Sequence, residues 1–351
     1  MTNNLARRVY NYLEEVPIFL EGPKEMLDLC QRNIEEAPTT GECQGEIKLI
    51  RGSPVTIIKD KEFPYASIKQ SQSHINSQWD YFRYGTLTRS YWSEGSNQYV
   101  VRYHIKDDCD GPLRCFWKIY FDSPASADKS LVHGTLVAIG ARGILISGPC
   151  RSGKTTLGLS MISSLDAQLI SEGLTLISRN MEHQLRGYYL PRPIYSRFST
   201  ISKLPGLSEL IENSDLWDVG QHFDIDALKR IIRAKRFDID AGLQISRKKF
   251  GELMGTPTKI TSNIDLLILT KYVSGKLPTI ERLSTGELIN CLRKNEFKKS
   301  INLGEVEDQR SETPPEKSQI DEKWLERTKG ILFSFSDIND LNQGVLEELV
   351  K

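Results

Sequence analysis

The spacing of apolar residues changes near residue 130 and divides the chain into two regions. Over 5–36, Leu5, Val9, Tyr10 and Leu13, then Met26, Leu27 and Leu29, recur at helical intervals and predict helix. Residues 37–44 read as a loop. From 46 to 125 the apolar runs are short and separated by Gly, Asp, Ser and Asn clusters. The runs at 47–50, 55–58, 99–104 and 115–120 predict strands. Beyond 130, strands predicted at 131–139, 143–147, 168–170, 174–178, 264–272 and 331–335 alternate with helices at 154–164, 285–292 and 337–350. A basic helix is predicted at 222–236. This alternation implies an α/β domain with a mixed sheet and helices over 126–351. The expected partner domain, 1–125, is smaller and β-rich (α+β). Residues 123–129 supply the boundary, and the polar stretch 303–322, with Pro314 and Pro315, predicts a disordered insertion.

Length and composition narrow the classes. At 351 residues the chain is long for one compact unit. Hydrophobic residues at 39% and charged residues at 26% suit a soluble globular protein. Lys+Arg and Asp+Glu balance at 46 each, so bulk charge points to neither a nucleic-acid nor a membrane partner. Cys30, Cys43, Cys109, Cys115, Cys150 and Cys291 are scattered, without the Cys-x-x-Cys pair that a zinc knuckle or redox motif requires. The first residues lack an apolar signal core, and no apolar run approaches the ~20 residues that span a bilayer. The expectation is a cytoplasmic protein with free thiols.

One motif carries chemistry. Gly148, Pro149, Cys150, Arg151, Ser152, Gly153, Lys154, Thr155 and Thr156 meet the full P-loop pattern, between a predicted strand and a predicted helix. Glycines let successive backbone N–H groups turn inward around phosphate oxygens, and the positive end of the following helix adds to that field. These nine residues are the expected nucleotide-binding set, with ATP and Mg²⁺ as ligands. Lys154 would reach the β- and γ-phosphates, and the Thr155 hydroxyl would ligate Mg²⁺. Cys150 reads as a small tolerated residue, and Arg151 either neutralises phosphate or faces solvent.

The flanks of the loop resemble the HPr kinase/phosphorylase family and its looser relatives, a group that shares a fold with ATP-dependent phosphoenolpyruvate carboxykinase. The resemblance rests on Val132, His133 and Gly134 in the preceding strand, the turn 140–143, the loop, and Glu172 after the first helix. It extends more weakly through Leu190, Pro191, Arg192 and Pro193, the strand at 264–272 and the helix start at 281–287. It implies an ATP-dependent phosphotransferase that moves the γ-phosphoryl group to a hydroxyl of a protein, peptide or small-molecule acceptor. It further implies His133 as an active-site histidine, Lys154 in transition-state stabilisation, and Glu172 as general base or, with Thr155, as metal ligand. Gly173 occupies the position of the family's second acidic residue, so reverse phosphorolysis is not implied.

Two rival readings stay open: a nucleotide-binding regulatory protein without turnover, and a carboxykinase-like enzyme. Homo-oligomers are compatible with all three. Lys229, Arg230, Arg233, Lys235 and Arg236 form a basic stretch without interleaved aromatics, which reads as a solvated helix face or as a docking patch. Asp265 precedes its apolar run instead of ending it, so that run reads as a buried strand.

Overall fold

The computed structural model describes residues 5–13, 16–34, 38–39, 45–51, 66–72, 77–83, 86–95, 98–103, 110–197, 200, 242–297 and 318–351. The described residues divide into two compact units, one up to Ala127 and one from Asp128 onward.

The first unit is built on an eight-stranded sheet. Its strands are β1 (Leu5–Tyr12), β2 (Val16–Pro23), β3 (Pro38–Thr39), β4 (Gly45–Arg51), β5 (Ala66–Gln72), β6 (Ser77–Arg83), β7 (Thr86–Gly95) and β8 (Gln98–Tyr103), in the order β3-β1-β2-β4-β8-β7-β6-β5. The β2–β4 and β4–β8 pairings are parallel and the others antiparallel. The predicted helix over 5–36 is therefore corrected to an antiparallel hairpin of β1 and β2 followed by one short helix, α1 (Lys24–Gln31). The reason is a period of two: Tyr10, Tyr12, Val16, Ile18 and Leu20 are all buried, and aromatic and β-branched side chains suit a pleated surface. The run at 115–120 fails in the opposite sense. It lies in α2 (Asp110–Asp122), where Cys115, Phe116, Ile119 and Tyr120 are fully buried. A short apolar run cannot distinguish a strand from a buried helix. Within this unit, the Phe116 ring sits edge-on to Tyr10 and Tyr12, at centroid distances of 6.4 and 5.3 Å.

The second unit is a mixed α/β fold around a nine-stranded sheet. Its strands are β9 (Lys129–Ile139), β10 (Arg142–Ser147), β11 (Gln168–Ser171), β12 (Leu174–Arg179), β13 (Leu185–Tyr188), β16 (Thr261–Tyr272), β17 (Thr279–Arg282), β18 (Glu296–Phe297) and β19 (Lys329–Phe335). A separate two-stranded ribbon joins β14 (Ile194–Arg197) to β15 (Gly242–Ile245). The helices are α3 (Lys154–Leu165), α4 (Arg247–Met254), α5 (Thr285–Lys294) and α6 (Gln343–Leu349). β9 is flanked by β10 on one edge and by β11 and β12 on the other. β10, β16 and β19 run parallel. Their near-continuous apolar runs are what a parallel core strand requires. α3 carries Leu157, Leu159, Met161 and Ile162 into a core shared with Ile144, Ile146, Phe333, Phe335, Leu346 and Leu349.

Three expectations change here. The predicted helix at 337–350 shortens to α6, because Asp340 accepts from the Ser336 and Asp337 backbone N–H groups at 2.9 and 2.8 Å and ties that segment into a turn. Asn342 then caps α6 by accepting from Val345 N–H at 3.1 Å. The exposed strand β17 was not anticipated. Residues 55–58, 222–236 and 303–317 lie outside the described residues, while Ile320, at the end of the stretch expected to lack order, is buried and accepts from Arg293.

Two glycines in helices test the packing. A Cβ on Gly158 would lie 2.7 Å from Thr135 Cγ2, where α3 crosses β9, whereas a Cβ on Gly286 in α5 meets nothing within 4 Å. Gly158→Val should cost about 1–3 kcal/mol by overpacking. Gly286→Ala should stabilise by about 0.4–1 kcal/mol by reducing unfolded-chain entropy. Denaturant unfolding of both variants checks the pair, and equal effects at the two positions would refute the close α3–β9 approach.

Candidate functional site

β10 ends at Ser147, the loop occupies 148–153, and α3 starts at Lys154. The loop is tied to the sheet. Thr270 Oγ1 donates to Ser147 O at 3.3 Å, so Ser152 Oγ is the donor in its 2.7 Å bond to Thr270. The Phe335 ring lies against Gly153, and a Cβ at that position would overlap it. Gly153 also has φ 91°, and Arg151 takes φ 63°, a left-handed conformation that L side chains occupy at a cost. A strained residue of this kind is held by its surroundings and marks a constrained loop.

Lys154 is buried and folds back along the loop, donating to Gly148 O at 2.9 Å and Pro149 O at 2.7 Å. Next to it, Thr155 Oγ1 donates to Glu172 Oε1 at 2.8 Å. Glu172 follows β11 and is only 6% exposed. Its second oxygen accepts from the Tyr195 backbone N–H of β14 at 3.4 Å. Burial pushes the Glu172 carboxyl above the usual carboxylate range. The charge of Arg192, the Thr155 hydroxyl, the Tyr195 N–H and the charge of Lys154 all pull the other way, and burial prevails.

Gly173, where a second acid was expected, has φ 76°, and a Cβ there would lie 3.5 Å from a guanidinium nitrogen of Arg192. His133 pairs with Leu174 across the β9–β12 register, and the neighbouring Gly134 N–H donates to Gly173 O at 3.2 Å. His133 therefore sits one strand over from the Glu172–Gly173 turn. Its ring packs edge-on to Phe297 at 5.9 Å. Cys150 and Arg151 are exposed at the tip of the loop, and Thr156 Oγ1 lies 3.2 Å from Thr200 Oγ1.

Lys154, Thr155 and Glu172 are thus brought into one contact set, with Arg192 and Tyr195 added around Glu172. Sequence reasoning missed Tyr195 and Thr270. Tyr195 acts through its backbone and so leaves no side-chain signature. Thr270 ends an apolar run where an acid would have drawn attention. Asp265 accepts from Gly143 N–H at 3.2 Å, at the end of β10 far from the loop.

Among the described residues no group of three or more His, Cys, Asp and Glu side chains could hold a metal. Thr155 and Glu172 nonetheless offer two adjacent oxygens, a donor set that suits a hard cation completing its shell with phosphate and water. No helix among the described residues is long and apolar enough to cross a membrane.

No family model matches the chain, and no curated protein matches it. Among solved structures, the Hpr(Ser) kinase/phosphatase from Coxiella burnetii is similar, with 16% identity and a TM-score of 0.27 over 63% of this chain and 93% of that one.

The raised Glu172 pKa has a signed consequence for stability. Between the ordinary glutamate value and the raised one, the folded state holds a proton that the unfolded state has lost, so stability falls as pH rises through that window. Glu172→Gln cannot titrate. Thermal melts of both proteins from acid to neutral pH should show the native chain losing ground to the variant as pH rises. A difference independent of pH would refute the assignment.

Proposed function

We propose that the chain is an ATP-dependent phosphotransferase of the HPr-kinase-like type, moving the γ-phosphoryl group of ATP to a hydroxyl on a protein, peptide or small-molecule acceptor. The observation that carries this reading is the Thr155–Glu172 contact. A hydroxyl at the start of the P-loop helix donates at 2.8 Å to a buried carboxylate that holds protons more tightly than usual. Such a carboxyl is a stronger base than a solvated glutamate and is suited to act as a general base.

Phosphoryl transfer asks the protein mainly for positioning and charge neutralisation. The two carbonyl contacts of Lys154 are those that phosphate oxygens would replace. Thr155, joined by Glu172 in its alternative role as ligand, would hold Mg²⁺, which would supply charge neutralisation when bound. Glu172 would accept the proton of the acceptor hydroxyl, and His133, beside the same turn, would line the acceptor side. A second reading, nucleotide binding without transfer, is favoured by Gly173, which withdraws one carboxylate from the metal side.

Incubation with γ-labelled ATP and a lysate of the source organism tests both. Label should move to one acceptor species. Lys154→Ala should lose nucleotide binding and transfer together. Glu172→Gln should keep nucleotide binding and lose about 10²–10⁴-fold in transfer rate, the usual contribution of a positioned base. Unchanged transfer in Glu172→Gln would defeat its role as base. ATP binding with no transfer to any species would favour the switch.

A further inference from the structure

Lys154, Thr155 and Glu172 define the catalytic side of the phosphate loop, and Glu172 lies toward β9 and β11. Across β10, in the other direction, the loop abuts the ends of β16 and β19. In parallel α/β sheets, ligands occupy the crevice outside the carboxyl ends of the strands. The part of a nucleotide remote from the transferred phosphate therefore has the β16–β19 end to rest on.

That end carries one conspicuous side chain. Thr270 reaches the loop through Ser152, which identifies the loop-facing side of β16. Side chains two residues apart on a strand share a face, so Tyr272 stands on the loop side as well. Its parallel partner in the register is Phe335, whose ring presses on Gly153. Residues 266–270 of β16 are buried, yet Tyr272 is 55% exposed. The strand end is also held: Val273 N–H donates to Phe335 O at 2.9 Å, so the ring projects from a backbone anchored in the sheet. A large aromatic ring with an open face, on a fixed backbone beside a phosphate loop, has the form of a stacking platform.

We propose that Tyr272 is the platform on which the base of the nucleotide stacks while the loop holds its phosphates. This rests on the nucleotide reading of residues 148–156. Stacking uses the π-face that every base presents, so purine nucleotides, with the larger face, are the ligand class it favours.

The test compares ATP with tripolyphosphate, which has the phosphates and no base, by titration calorimetry on the full chain. Tyr272→Ala should weaken ATP about tenfold and leave tripolyphosphate unchanged. Tyr272→Phe, which keeps the ring, should restore ATP binding and shows whether any loss in the alanine variant comes from the ring or from misfolding. Unchanged ATP affinity in Tyr272→Ala, or equal weakening of both ligands, would overturn the proposal. If Lys154→Ala abolishes both ligands while Tyr272→Ala affects neither, the loop reading stands and the platform alone falls. If the native chain binds neither ligand, both fall together.

Discussion

Glu172 is a carboxylate taken almost wholly out of water, and such a group is tolerated only where donors meet it. Two stretches of the second unit, 154–155 and 192–195, supply them. Thr155 comes from the first turn of α3, the Tyr195 N–H comes from β14, and the positive charges of Lys154 and Arg192 stand nearby. The start of α3 and the segment leading into the small ribbon thus converge on one side chain, which the segment after β11 carries. Their donors fall short of offsetting burial, which leaves a carboxyl with a raised proton affinity beside the loop at 148–153. Under the proposed transferase reading, a group in that state suits proton transfer better than a solvated glutamate does.

The loop itself depends on close approach. Gly153 is pinned against the Phe335 ring and holds a left-handed φ, so two independent constraints admit only glycine there. Ser152 and Thr270 tie the loop to the end of β16, while Gly158 lets α3 settle on Thr135 of β9. Three parallel strands deliver their ends to one place, and the loop is built across them. This arrangement places the Thr155–Glu172 contact on one flank of the loop and leaves Tyr272 on the other.

Gly173 changes the reading of the second carboxylate position. At φ 76° an acidic side chain would be strained and would face the Arg192 guanidinium. Arg192 instead contributes to the field at Glu172, so the turn presents one negative group and one positive group where the resembling family has two acids.

The sequence alone determined the elements whose signals are local. The strand–loop–helix around 148–156 was legible because glycine spacing, the Lys154–Thr155 pair and the flanking strand and helix are all written in one short window. The strands at 143–147, 264–272 and 331–335 were legible because a parallel strand covered on both faces is mostly apolar and so reads as a near-continuous apolar run. Tertiary structure decided the rest. Residues 5–23 carry apolar spacings that fit a helix and a strand equally. Pairing of Tyr12 with Val16 and of Leu5 with Pro23 selected the strand, and a pairing is a relation between segments, not a property of either. The run at 115–120 became helix because it could bury aromatic rings against Tyr10 and Tyr12. At the site, the sequence named Lys154, Thr155 and Glu172 separately. Only the fold could place the Thr155 hydroxyl on Glu172, bring up a backbone N–H from Tyr195, and set Tyr272 in register with Phe335, because each of those contacts joins residues that the chain keeps far apart.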